Sequence, residues 1–411
     1  MSKVYSIGVI GAGARAETFA KTLHLGTPQA RLFGICDHDG DRMEKFCQYC
    51  GLDGARRFTD PREFLASGEM DAVIVTVPDF AHRDVTLAAL AAGKHVYLEK
   101  PLAPNLAQCR QIVAAAAHSD RTLYVGFNLR ASPVYQKLCE LARSGKLGRI
   151  IHVSAFEQMS TAHGASFMRR WHRREARCGG FLNHKCCHDL DIMQWIVGHE
   201  HRIARVASFG GLNIFRPDDG PKGHGTHCHN CPPGIYRQCR YTYVGGFMFP
   251  VHAAMPIDKL NESDVYGNDL CVYTADKDVV DNQTLIFEWD NGVRGDFTLQ
   301  PFQHRGGRET RVWGELGMAE HLEDDRGQYV RHTDSTTGDM VEYRFAPRKG
   351  GHSGTDPYML GRFIDALEGQ GVGDSGVAEG FAATLLSLKA DESRKTGKVV
   401  EIDPREYDLP T

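Results

Sequence analysis

The chain lacks any uninterrupted apolar run of the roughly 20 residues that a bilayer-spanning helix needs, so nothing in it reads as a membrane anchor. It also lacks an excess of charge of either sign. The 48 Lys and Arg against 52 Asp and Glu leave a net charge of -4 and a pI near 6.6. No global basic field is present to recruit nucleic acid or an anionic membrane surface. The first ten residues, Met1 to Ile10, run directly into a β-strand pattern and do not read as a secretory leader. Heptads, internal repeats and low-complexity tracts are missing, which sets aside coiled coils and solenoids. Cysteine, by contrast, is plentiful at 12 residues. Without a leader, that count points to reduced thiols in a cytoplasmic setting, with metal binding favoured over disulfides. The 411 residues, 42% hydrophobic and 24% charged, are ordinary globular usage and suggest two or three domains.

The N-terminal third alternates strand and helix. Val4 to Ile10 is a short apolar strand, followed by Gly11-Ala12-Gly13-Ala14-Arg15-Ala16 and a helical stretch through Leu25. This is the G-x-G-x-x-A form of the dinucleotide fingerprint. Gly11 permits the tight turn, Gly13 lets backbone approach a pyrophosphate, and Ala16 allows close helix–strand packing. A second strand ends at Asp37, 24 residues after Gly13, where an acid would hold the ribose hydroxyls of NAD and repel the 2'-phosphate of NADP. Arg42 lies near enough in sequence to leave some tolerance for NADP. Asp71 to Val77 reads as a strand buried on both faces, and further strands end near Glu99-Lys100-Pro101 and Asn128. The pattern predicts an α/β fold with a doubly wound parallel sheet. Ligands of such sheets sit outside the carboxyl ends of the strands, where Asp37, Thr76 to Pro78, Glu99 to Pro101 and Asn128 fall.

A second region of interest runs from Gly179 to Asp191. The two glycines break the chain, and a helix is expected to begin near Asn183, a good N-cap residue. On it His184, His188 and Asp191 share a face by their i, i+4 and i+3 spacings. With Lys185 nearby they form a cluster suited to proton transfer; the bland alternative is a capped core helix with hydrogen-bonded histidines. Just upstream, Arg169 to Arg177 holds five arginines around Trp171 and suits either the lining of a sugar or acid pocket or a solvated surface. Downstream, a Gly/Pro-rich stretch near 222–240 carries Cys228-x2-Cys231 and Cys239. Three thiolates at that spacing could hold zinc, with a fourth ligand from Cys187, Cys186, His224, His227 or His229; the alternative is free thiols in a loop. Segments at 270–275, 283–289, 294–299, 308–313 and 318–322 read as strands of one sheet, and 350–356 as the cap of a helix through Leu367.

Taken in order, the N-terminal fingerprint, Pro78 with His82, Glu99-Lys100-Pro101, Gly126-Phe127-Asn128, Gly179-Gly180 with His188 and Asp191, and His352 to Asp356 resemble the Gfo/Idh/MocA family of oxidoreductases. The resemblance implies a Rossmann domain over 1–130 and a second α/β domain over 131–411 with a large, mostly antiparallel open sheet. That sheet commonly packs against another subunit, so a homo-oligomer, dimer or tetramer, is expected. NAD would contact Gly11, Ala12, Gly13, Ala14, Arg15, Asp37, Arg42, Thr76, Pro78, His82, Glu99, Lys100 and Asn128. Lys100, often followed by a cis bond to Pro101 in the family, would share acid–base work with His188, with His184 and Asp191 positioning substrate or His188. Arg130, Arg169, Trp171 and His352 are the candidates for substrate contact. Many relatives have an aspartate where this chain has His184. The implied activity is oxidation of a secondary hydroxyl of a sugar, glycoside or cyclitol. Some relatives are glycosidases that oxidise their substrate transiently, and a sensor without turnover is a third possibility.

Overall fold

The structure is a computed structural model that describes residues 3–243, 269–304, 306–346, 355–370 and 375–410. Its first sheet is built from strands β1 (Tyr5–Ile10), β2 (Ala30–Cys36), β3 (Arg56–Phe58), β4 (Ala72–Val75), β5 (His95–Leu98) and β6 (Leu123–Val125), in the order β3-β2-β1-β4-β5-β6. Every neighbouring pair is parallel. β1 and β4 are buried along their whole length because helices cover both faces of the sheet. Strand order reverses between β1 and β4, which opens the crevice at the carboxyl ends. The helix Ala16–Leu25 starts directly beyond the Gly11–Gly13 turn, while Asp39 and Asn105 cap the helices Gly40–Cys50 and Leu106–Ala117 by accepting from backbone N–H groups.

The second sheet comprises β7 (Ile150–Ser160), β8 (Ile203–Gly211), β9 (Asn282–Trp289), β10 (Arg294–Gln303), β11 (Gly307–Gly314), β12 (Gly317–Asp324), β13 (Gly327–Asp334), β14 (Met340–Arg344) and β15 (Val400–Glu401). Its order is β14-β13-β12-β11-β7-β10-β9-β8-β15. All pairings are antiparallel except β7 with β10. Side chains alternate along β7 and β9: Val153, Ala155, Leu285 and Phe287 point into the core, while Ile151 and Ile286 lie on the exposed face with Phe209 of β8. The helices Gly180–Val197 and Val377–Thr396 cover the inner face.

Two local expectations are corrected. The central helix begins at Gly180, with Gly179 in the left-handed conformation before it. Asn183 is therefore inside the helix, and its amide donates to the carbonyls of Ala103 and Cys178. A side chain on Gly179 would meet the Pro104 carbonyl oxygen at 2.5 Å, so the close approach of two loops requires glycine there. Residues 270–275 do not form a strand; a single bridge joins His227 to Leu270, and the chain then turns. The helix Asp356–Leu367, although late in sequence, buries Met359, Leu360 and Phe363 with Phe19, Tyr97 and Tyr124 of the first sheet and its helices. Among the described residues no helix is long and apolar enough to cross a membrane.

Candidate cofactor and active site

A cavity of about 610 Å3 opens at the carboxyl ends of the first sheet and is closed from above by the second domain. Gly11, at φ +102°, forms its floor. A Cβ there would lie 2.9 Å from the Thr76 carbonyl carbon, and Thr76 Oγ1 donates to the Gly11 carbonyl at 2.9 Å. Nothing lies within 4 Å of the Cβ position of Gly13, so the cradle is open to a ligand at the start of the Ala16–Leu25 helix. Asp37 Oδ2 accepts from the Ala12 N–H at 2.7 Å, and Oδ1 accepts from the Asp39 N–H at 3.0 Å and from the Arg42 guanidinium. Three of the roughly four acceptor positions of the carboxylate are thus taken, leaving one for a ribose hydroxyl. These features fit a bound dinucleotide.

Arg15 ties the opposite wall together. Its Nε donates to Glu99 Oε1 at 2.6 Å, and its Nη1 reaches Asp356 Oδ1 at 2.7 Å. Asn128 Nδ2 donates to the same oxygen at 3.0 Å. His82 faces the carbonyls of Pro101 and Val77 through its two ring nitrogens, at 2.8 and 3.1 Å. It therefore holds the Lys100–Pro101 turn, whose peptide bond is cis, against the end of β4.

Lys100 Nζ donates to the backbone carbonyl of His184 at 2.7 Å, which joins the end of β5 to the central helix. His184 Nδ1 lies 2.7 Å from Asp79 Oδ2. Burial pushes the Asp79 carboxyl up to about 7, against the opposing pull of His82 and Lys100. Burial, followed by the Lys100 charge, holds the His184 imidazole well below its ordinary value. Both shifts favour neutral partners that share a proton. His188, one turn further along, is buried, lines the cavity and meets the Phe127 ring edge-on at 6.0 Å. Trp171, Phe167 and His172 complete an aromatic wall, with His172 stacked on Phe167 at 4.2 Å and Trp171 edge-on to His184 at 5.2 Å.

The cavity brings together Gly11, Gly13, Ala14, Arg15, Asp37, Arg42, Thr76, Pro78, His82, Glu99, Lys100, Asn128, Trp171, His184 and His188. Asp191 and Arg130 do not line it. Arg130 Nε and Nη2 grip the two Asp191 oxygens at 2.7 and 2.6 Å, with both side chains about 1% exposed. A buried guanidinium demands such a counter-charge, and the pair lies in the core between the rings of Phe127 and Trp195. Lys185 faces the edge of the cavity and pairs with Glu157 at 3.3 Å, whose other oxygen takes Arg308. His352 falls outside the described residues.

Arg169 turns away from the main cavity, donating to the carbonyls of Leu270 and Tyr241, with Nη2 3.8 Å from Cys228 Sγ. That places it beside a small pocket lined by Cys228, Cys231, Cys239 and Cys271, together with His224 and His227. All twelve cysteines are unpaired. Among the described residues no three His, Cys, Asp or Glu side chains converge as metal ligands, so the expected zinc site is not supported. The buried Arg169 guanidinium faces the Cys228 sulfur, and burial raises the Cys228 thiol above its ordinary value. Cys186 and Cys187 are buried in the central helix, and Cys187 lies 3.9 Å from the His184 carbonyl, beside Lys100. His229 instead pairs with Asp269 at 2.7 Å.

Sequence reasoning passed over Asp79, His163, Arg170 and His172, all of which line the cavity. Asp79 directly follows Pro78 at a strand end, a position that local sequence alone marks only as a turn. Arg170 belonged to the arginine run, but composition alone could not separate it from Arg169.

A doubly wound sheet with a Gly-x-Gly turn, a ribose-side acid, and a strand-end lysine meeting histidines of a second domain defines a dinucleotide-binding oxidoreductase fold. Comparison with known proteins narrows the class. A model described as "Oxidoreductase family, NAD-binding Rossmann fold" matches residues 5–127, and the "GFO/IDH/MocA C-terminal domain" matches 135–320. The chain belongs to the Gfo/Idh/MocA family. It is 26% identical over 318 residues to the oxidoreductase YteT of Bacillus subtilis, covering 72% of this chain and 73% of that one. It is 29% identical over 214 residues to inositol 2-dehydrogenase 2 of Saccharopolyspora erythraea, covering 52% of this chain and 60% of that one. Among solved structures, levoglucosan dehydrogenase in complex with NADH and levoglucosan superposes with a TM-score of 0.72 at 16% identity, over 97% of this chain and 99% of that one. Aldose-aldose oxidoreductase from Caulobacter crescentus gives a TM-score of 0.70 at 16% identity, over 97% and 100%.

Proposed function

We propose that the chain is an NAD-dependent dehydrogenase that oxidises a secondary hydroxyl of a sugar, glycoside or cyclitol. The observation that carries this reading is the joining of Lys100 to the central helix through the His184 carbonyl at 2.7 Å. This contact puts Lys100, His184 and His188 on one wall of the cavity whose far end is Asp37. NAD, when bound, supplies the hydride acceptor. His188 takes the hydroxyl proton, and the Lys100 ammonium, fixed by its bond to the helix, orients the oxygen from which that proton leaves. His184 presents its ring beside them, held by Asp79. Trp171 and Phe167 offer an apolar face to a sugar or cyclitol ring and exclude water. The inositol and levoglucosan dehydrogenases among the relatives support a polyhydroxylated ring as the substrate class. The exposed face of the second sheet, carrying Ile151, Phe209 and Ile286, supports assembly into a homo-oligomer, which light scattering would measure.

The test is to incubate the purified chain with NAD and a panel of inositols, aldoses and glycosides while following NADH absorbance. NADH should form in proportion to product, and Lys100→Ala and His188→Ala should each lower kcat by about 100-fold or more. Bound NAD with no oxidation across the panel would contradict the proposal. Glycoside cleavage without net NADH would point instead to hydrolysis through transient oxidation.

A further inference from the structure

Three arginines line the cavity, and two of them have carboxylate partners. Arg15 is paired with Glu99 and Asp356, and Arg42 with Asp37. Arg170, from the second domain, is different. Its Nε is buried with no hydrogen-bond partner, and no described carboxylate lies within ion-pair distance of its guanidinium. After burial, the Tyr243 phenol acts most strongly on it and favours its cationic form, while the like charge of Arg42 opposes that form. Burial and Arg42 together push its guanidinium down to about 10, opposite to the effect of an ion pair. The neighbouring arginine, Arg169, shows what a satisfied guanidinium looks like in this segment, since it donates to two backbone carbonyls. The chain at Arg170 is extended (φ -94°, ψ -177°), so successive side chains point to opposite sides: Arg169 toward the cysteine loop, Arg170 into the cavity.

A partly buried cation with an unpartnered Nε and no described counter-charge is costly, and an anion arriving beside it offsets that cost. The dinucleotide brings such anions into this cavity. We propose that Arg170 is a phosphate clamp, supplied by the second domain to the dinucleotide held by the first. The inference rests on the cavity being a dinucleotide site. Its phosphate is either the diphosphate bridge common to NAD and NADP or the 2'-phosphate that only NADP carries. Arg170 and Arg42 together would then offset the repulsion that Asp37 exerts on a 2'-phosphate.

The experiment measures Kd for NADH and for NADPH by nicotinamide fluorescence, for the wild type, Arg170→Met and Arg170→Lys. Loss of one charge-assisted contact should weaken binding by roughly 10-fold or more in Arg170→Met, with Arg170→Lys between the two. Equal loss for both dinucleotides assigns the diphosphate, and loss confined to NADPH assigns the 2'-phosphate. Unchanged Kd for both overturns the inference while leaving the dinucleotide site intact, whereas a wild type that binds neither overturns both. A melting curve without dinucleotide separates the clamp from a structural arginine. The clamp predicts that Arg170→Met melts at or above the wild-type temperature, because an unpaired buried charge is removed. A lower melting temperature together with unchanged Kd marks Arg170 as structural and refutes the clamp.

Discussion

Asp191→Asn separates a structural from a catalytic role for a residue that shares a helix with His188. In the structure the Asp191 carboxylate meets Arg130 in a two-pronged pair at 2.6 and 2.7 Å, with each side chain about 1% exposed. Removing the carboxylate strands a guanidinium in the core between the rings of Phe127 and Trp195. Breaking one side of such a buried pair costs about 3–5 kcal/mol, a large share of the stability of any domain. Urea unfolding followed by tryptophan fluorescence should show that loss. The folded fraction should keep kcat within a few-fold of the wild type, because neither member of the pair lines the cavity. The double variant Arg130→Met with Asp191→Leu should recover most of the stability, since an apolar pair of similar volume replaces a buried ion pair at little cost. A stable Asp191→Asn protein with kcat lowered by about 100-fold or more would refute this reasoning and restore Asp191 to the chemistry.

Other consequences concern protonation, the fingerprint turn and the cysteine loop. Asp79 titrates at about 7 when folded, against 3.8 ordinarily, so hydroxyl oxidation should speed up as pH rises through that value and the carboxylate forms to hold His184. That limb should vanish from the kcat/KM profile of Asp79→Asn. The same shift has a stability consequence of opposite sense. Between about 4 and 7 the folded chain keeps a proton that the unfolded chain sheds, so stability falls as pH rises through this window and levels off above it. Melting temperatures of Asp79→Asn should lack that component. Gly11→Ala places a Cβ 2.9 Å from the Thr76 carbonyl carbon at φ +102°, and should cost about 1–3 kcal/mol and weaken NADH binding, measured by melting and fluorescence titration. Cys231→Ser should leave NADH binding within a few-fold of the wild type by fluorescence titration, because Cys231 lines the small pocket beside Arg169 and not the main cavity.

What the sequence made legible follows from the range of the physical rules involved. The Gly11–Ala16 turn, Asp37 and the strand-end positions of Thr76 and Lys100 obey local backbone rules that act within one strand–turn–helix unit, and all reach the cavity. The central helix was harder to read because it is buried on nearly every side. Its periodicity shows that His184, His188 and Asp191 are close in angle but not which neighbour each one meets. His188 meets the cavity, while Asp191 meets Arg130, 61 residues earlier in the chain. The acid that the family resemblance leads one to expect at position 184 has a counterpart in Asp79, 105 residues away on the first domain. Arg169 and Arg170 differ only in the side of an extended segment from which they project. Cys271 joins the loop cysteines through a segment whose apolar pattern resembled a strand but forms a single bridge. Each of these assignments depends on a long-range contact that spacing does not encode.

The central claim is hydride transfer from a secondary carbinol carbon to a dinucleotide seated between Gly11 and Lys100. It is tested most directly with a ring substrate from the panel that carries deuterium on the carbinol carbon. After one turnover with NAD, mass spectrometry of the dinucleotide should show one deuterium gained, in the wild type and not in Lys100→Ala with His188→Ala. Conversion of the substrate with no deuterium on the dinucleotide would contradict the account.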